Sequence, residues 1–223
     1  MQENAPPLIT IVCGHYGSGK TNFALNLALR RRAGGGEMTL VDLDIVNPYF
    51  RSSDYARFLE EKGVRLIAPG TAGTTLDAPA LTPGIGAAIG GGGDVIIDAG
   101  GDDAGAAALG RFAGEICARG YEMLYVVNRF RIQTAAPADA AALLGEIEAA
   151  SGLKATAIVN NSHLSGLTAP ADILDGLAYA KAVAGLTGLP LFASTVPAAL
   201  AGAPELAGYD LFPVEILVKL PWN

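Results

Sequence analysis

Eight residues near the start of the chain, Gly14-His15-Tyr16-Gly17-Ser18-Gly19-Lys20-Thr21, fit the spacing G-x-x-x-x-G-K-[ST]. Glycines at those positions let backbone N–H groups converge on an anion without obstruction by a Cβ. A helix starting near Lys20 would aim its positive end at the same point. The Lys20 ammonium would reach the outer phosphates of a bound polyphosphate, and the Thr21 hydroxyl would serve a Mg²⁺ ion. Residues Gly14 to Asn22 are therefore the candidate phosphate-binding stretch.

Three carboxylates have the right company for such a loop. Asp42 and Asp44 follow an apolar β-branched run, and Asp98 ends another, just before Gly100-Gly101. Open α/β sheets bind ligands at the carboxyl ends of their strands. An acid after an apolar strand, followed by mobile glycine, suits a Mg²⁺ ligand next to a phosphate-sensing segment. Taken singly, each acid could equally be a helix N-cap or a solvated turn residue.

The positioning elements follow from periodicity. Apolar runs predict strands at 8–13, 39–42, 64–67, 94–98, 123–127, 155–159, 191–196 and 214–218. They are continuous more than alternating, as strands buried on both faces are. Apolar residues at helical spacing in 21–32 and 53–62, and Ala-rich stretches at 104–119, 135–150 and 170–186, predict helices between them. The fold class expected is α/β: a doubly wound, mostly parallel sheet of seven or eight strands with helices on both faces. Neither an internal repeat nor a shift in composition divides the chain, so 1–223 reads as one domain. Residues 72–93, dense in Gly and Pro, support only a short helix and no assigned role.

Composition excludes several classes. Charged residues make up 17% and hydrophobic ones 51%, the opposite of a disordered chain. A net charge of −7 argues against a basic nucleic-acid surface and against an anionic membrane. Two cysteines, Cys13 and Cys117, cannot form a disulfide framework or a four-cysteine metal site. No basic leader or uninterrupted apolar span is visible, so the expectation is a cytoplasmic protein. The 29 glycines are unusual, since each ordered Gly costs about 0.5–1 kcal/mol relative to Ala in a helix or strand. Gly14, Gly17, Gly19, Gly100 and Gly101 have a use in backbone approach to phosphate.

With these residues in place, the chain resembles the MinD/ParA-like (CobQ/CobB/MinD/ParA) P-loop ATPases. The likeness runs through Gly14–Thr21, Asp42-Leu43-Asp44, Asp98-Ala99-Gly100-Gly101, Val159-Asn160-Asn161 and Thr195-Val196-Pro197. The resemblance implies that Lys20 and the loop amides hold ATP and that Thr21, Asp42 and Asp98 serve Mg²⁺. It implies that Asp44 orients the attacking water and that Gly101 senses the γ-phosphate. Asn160 would bond the adenine edge, with Pro197 beside the base. No Asn-Lys-x-Asp guanine signature is present. Asn128-Arg129-Phe130-Arg131 comes nearest and lacks the acid, which favours ATP over GTP.

The chain departs from the family at one place. A signature lysine near the start of the loop is replaced by His15, and Tyr16 stands where the first of two glycines would be. In the family that lysine reaches a partner subunit's nucleotide. Its loss weakens the case for a homodimer and for fast turnover, unless His15 partly substitutes. The segments 41–52 and 100–106 look like the switch regions of a less studied branch.

Three functions fit. The first is a slow Mg²⁺-dependent ATPase switch. The second is a non-hydrolysing regulator that binds ATP or ADP and docks on a protein partner. The third is an ATP-dependent small-molecule kinase or ligase, for which Arg51, Asp102 and His163 are the candidate acceptor residues. Asp102-Asp103 also reads as a helix N-cap pair. Arg51, Arg129 and Arg131 would either clamp phosphates or solvate the surface.

Overall fold

The computed structural model describes residues 9–44, 55–68, 83–101 and 103–218. Eight strands form one sheet: β1 Ile9–Cys13, β2 Met38–Leu43, β3 Val64–Ile67, β4 Asp94–Ala99, β5 Glu122–Val127, β6 Ala157–Asn160, β7 Leu191–Pro197 and β8 Phe212–Val214. Their order is β3-β2-β4-β1-β5-β6-β7-β8, and every pairing is parallel. The helices between them are α1 Lys20–Ala33, α2 Ala56–Glu61, α3 Pro83–Gly90, α4 Asp103–Gly110, α5 Ala113–Arg119, α6 Pro137–Ser151 and α7 Pro170–Thr187. The doubly wound sheet expected from the sequence is present.

β1, β2, β4, β5 and β6 bury both faces, which explains their continuous apolar character. Along β1, Ile9, Ile11 and Cys13 join Val41, Ile97 and Tyr125 on the face covered by α3 to α7. Val12, with Leu40, Ile96 and Val126, joins Phe23, Ala24 and Leu27 of α1 and Leu59 of α2 on the other. This alternation decides where the acids point. Asp42 follows Leu40 by two residues and Asp98 follows Ile96 by two, so both face α1.

Two expected elements differ. The predicted helix 104–119 is split into α4 and α5, with a turn at Arg111–Phe112. At Gly110 an added Cβ would meet the Ala150 carbonyl at 3.1 Å, so α4 ends in close approach to α6. The predicted last strand, 214–218, is not a strand over that range. β8 ends at Val214, and the following residues leave the sheet for α1. Within 72–93 a helix stands at 83–90, and 72–82 lies outside the described residues. No helix among the described residues is long and apolar enough to cross a membrane.

Candidate functional site

The loop between β1 and α1 is shaped by glycine. Gly14 has φ 141° and Gly19 φ 89°, conformations that other residues seldom adopt. A Cβ at Gly14 would also strike the Val126 carbonyl, and one at Gly19 the Asn161 amide. Inside the loop, Ser18 N–H and Lys20 Nζ both donate to the His15 carbonyl, each at 3.1 Å. The Ser18 hydroxyl is buried and has no hydrogen-bond partner, an orphan polar atom in the wall of the cradle.

The acids stand where α1 begins. Asp42 and Asp98 are register partners on adjacent strands, and Asp98 is in turn the partner of Val12 on β1. Both carboxylates are buried, at 0% and 1% exposure, at the level where the chain enters the phosphate loop. The Asp44 N–H donates to Asp42 Oδ1 at 3.0 Å, so Asp42 fixes the turn that presents Asp44. Gly101 abuts the loop. A Cβ there would come within 2.6 Å of Tyr16 N, 2.7 Å of Lys20 Nζ and 3.0 Å of the Gly14 carbonyl. The segment after β4 therefore rests directly on the cradle.

A cavity of about 300 Å³ opens above these groups. Tyr16, Gly17, Gly19, Lys20, Thr21 and Asp44 form its floor and one side. Asn128, Arg131, Asn161 and His163 form another, and Ile216 with Val218 closes it beside Asn22. Of the expected residues, Gly14, His15, Ser18, Gly101, Asp42 and Asp98 shape the loop or support it from below. Asn160 and Pro197 are not among the lining residues. The Asn160 Nδ2 donates to Ser194 Oγ at 3.3 Å and its Oδ1 accepts from Ser162 N–H at 3.2 Å. Pro197 is buried as the register partner of Val214.

Asn161, next in the chain, does line the cavity. Its Nδ2 donates to the Ser18 carbonyl at 2.8 Å, and its Oδ1 accepts from Thr195 Oγ1 at 2.6 Å. Oδ1 also accepts from His163 Nε2 at 3.1 Å, because the other ring nitrogen already accepts from Ser165 N–H at 3.2 Å. The ring is thereby fixed as the neutral Nε2–H tautomer. Burial, helped by the Arg131 guanidinium, pushes the His163 pKa down from 6.5 to about 4. Both nitrogens are engaged, so His163 holds Asn161 in place and has no nitrogen left for an acceptor substrate. Arg51 and Asp102, the other acceptor candidates, lie outside the described residues, and nothing is assigned to the Asp103 side chain.

The cations are arranged unlike the family pattern. His15 donates from Nδ1 to the Tyr16 carbonyl at 2.7 Å and is not among the cavity-lining residues. The guanidinium over the loop is that of Arg131, 3.3 Å from where a Gly17 Cβ would stand. Loss of solvation on one side lowers its pKa from the ordinary value, and Tyr16 opposes that. Arg129 instead pairs with Asp175 at 3.4 Å, outside the cavity. Burial pushes the Cys13 thiol up to about 12, with Lys20 opposing, so it is an inert core group below the loop.

Mg²⁺ takes few protein ligands, often one or two carboxylates plus phosphate oxygens and water. Among the described residues no cluster of three or more His, Cys, Asp or Glu forms a dedicated cage. The pair Asp42 and Asp98, facing the start of α1 where Thr21 sits, fits a Mg²⁺–phosphate complex of that kind.

By sequence, no protein-family model matches the chain and no curated protein does. Its fold matches solved structures. Signal recognition particle 54 kDa protein from Aeropyrum pernix K1, in complex with GDP, is 21% identical with a TM-score of 0.57 over 87% of this chain. Cell division protein FtsY from Thermotoga maritima is 21% identical with a TM-score of 0.56 over 86%. FtsY from Elizabethkingia anophelis, in complex with GDP, is 18% identical with a TM-score of 0.52 over 88%. The chain spans 42%, 62% and 59% of those three chains. It has the P-loop NTPase fold of these proteins. At such identities the likeness establishes the fold alone.

Proposed function

We propose that this chain is a Mg²⁺-dependent nucleotide switch of the MinD/ParA type that binds ATP and hydrolyses it slowly. The observation that carries the reading is the cavity bounded by Lys20, Thr21 and Asp44 on a glycine-shaped loop at a helix N-terminus. One nucleotide-binding domain over 1–223, in the cytoplasm, belongs to the same reading.

Lys20 and the loop amides bind the phosphate chain. Thr21, Asp42 and Asp98 would hold Mg²⁺, which when bound neutralises charge on the outer phosphates. Asp44, presented by its N–H bond to Asp42, orients the attacking water and accepts its proton. Gly101, lying on the loop, couples nucleotide state to the segment that follows β4. Arg131 gives the cavity the second cation that His15 does not.

Adenine is preferred on chemical grounds. Guanine presents N–H donors on its pairing edge and is read by a carboxylate, whereas Arg131 stands at the place of that acid and offers donors only. GTP is the second reading, because two of the matched structures hold GDP. A non-hydrolysing regulator that docks on a protein partner, alone or as a homodimer, differs from the first reading only in the rate. The kinase or ligase reading lacks an acceptor group at His163.

Hydrolysis separates these readings. Asp44→Asn should bind ATP within about threefold of the wild type and turn it over about 10²- to 10⁴-fold more slowly. Arg131→Ala, assayed beside it, should slow turnover about tenfold. Wild-type protein that binds ATP but releases no phosphate would leave the regulator as the correct reading. Faster turnover of GTP than of ATP would replace adenine by guanine.

A further inference from the structure

We infer that residues 215–218 are the base-binding wall of the cavity, strapped to α1 by Asn22 and Asn26. The inference rests on the nucleotide reading above and names the part of the site that takes the heterocyclic base. After β8 the chain leaves the sheet and crosses α1. Asn22 Nδ2 and Asn26 Nδ2 donate to the Glu215 carbonyl at 3.0 and 2.9 Å. The Glu215 N–H donates to Asn26 Oδ1 at 2.8 Å. The N–H groups of Leu217 and Val218 donate to Asn22 Oδ1 at 2.9 and 3.2 Å.

Residues four apart share one helix face, so two carboxamides side by side act on this segment as the edge of a neighbouring strand would. Asparagine is a weak helix former, and two on one buried face of α1 cost helix stability unless they bond something. Here their amides bond the strap.

The strap brings the cavity what the rest of it lacks. Among the described residues, Ile216 and Val218 are the only aliphatic side chains that line it; the other lining residues are glycine, Tyr16 and polar groups. A heterocyclic base is flat, weakly hydrated on its faces and stabilised by apolar contact, whereas phosphate is not. Asn22 directly follows Thr21, so phosphate loop and strap are neighbours on the same helical turn. A ligand with its phosphates at Lys20 and Thr21 meets the aliphatic wall at its other end.

The test compares Mg²⁺·ATP with Mg²⁺·tripolyphosphate, which has the phosphates and no base. Ile216→Ala/Val218→Ala should weaken ATP roughly tenfold and leave tripolyphosphate within about twofold. Asn26→Leu, a residue outside the cavity, should act in the same direction. In the wild type, ATP should slow amide exchange at Leu217 and Val218, and tripolyphosphate should not. ATP binding unchanged in both variants would overturn the inference, as would equal weakening of ATP and tripolyphosphate. If wild-type protein binds neither ligand, the nucleotide reading fails and the wall with it. Tripolyphosphate binding equal in strength to ATP binding would sink the wall alone.

Discussion

Acidification should destabilise the protein through His163, and glutamine in its place should remove that sensitivity. The ring is 7% exposed, with both nitrogens hydrogen-bonded in the neutral form. Burial first, and Arg131 second, hold its pKa at about 4 against 6.5. As the pH falls from 6.5 toward 4, the unfolded chain takes up a proton that the folded chain refuses. The contribution of the neutral ring is therefore intact above pH 6.5 and is lost as the pH drops toward 4. The whole gap corresponds to about 3 kcal/mol, and about 2 kcal/mol of it is gone by pH 5. With a urea slope of about 2 kcal/mol/M, the wild-type midpoint should fall about 1 M further than that of His163→Gln between pH 7 and pH 5. Urea unfolding followed by circular dichroism measures both proteins, and their difference cancels the carboxylates they share. Equal losses in the two would refute the reasoning, because the ring would then be taking its proton without breaking the contacts to Asn161 and Ser165.

Two further substitutions probe the frame of the site. Gly101→Ala puts a methyl carbon 2.6 Å from Tyr16 N and 3.0 Å from the Gly14 carbonyl, both backbone. Thermal unfolding should show a loss of about 1–3 kcal/mol, and calorimetry a weaker nucleotide affinity; unchanged values would mean that Gly101 does not rest on the loop. Asn161→Ala leaves the Ser18 carbonyl and the His163 Nε2–H without their partner, and the Thr195 hydroxyl without one of its two acceptors. It should cost about 3 kcal/mol in urea unfolding, and a cost below about 1 kcal/mol would show the network to be dispensable.

The fold was legible because its signals are local. Each strand run is bounded by turn residues, and seven of the eight predicted runs overlap β1 to β7 closely. The last was misplaced because Val214-Glu215-Ile216-Leu217-Val218 has the composition of a strand, while its backbone partners are two side chains on α1, 189 to 196 residues away. Periodicity carries no record of such a pairing. The placement of Gly14–Gly19 between β1 and α1, and of Asp42 and Asp98 side by side on β2 and β4, was legible because glycine spacing and apolar runs are local signals. Asn161 was not, because in the doublet Asn160-Asn161 only the exit of β6 from the sheet decides which amide turns into β7 and which reaches Ser18. Arg131 hides in a similar way. Its sequence neighbour Arg129 is chemically identical, yet Arg129 pairs with Asp175 and only Arg131 lies over Gly17.

The central claim is that the loop at Gly14 holds the phosphates of a Mg²⁺-bound nucleotide through Lys20. Isothermal calorimetry of wild type and Lys20→Ala with Mg²⁺·ATP tests it most directly. The account predicts one ATP per chain for the wild type and an affinity weakened roughly 10- to 150-fold by the substitution, the loss of about one charge-assisted contact. Equal affinity in the two proteins, with both folded by circular dichroism, would contradict it.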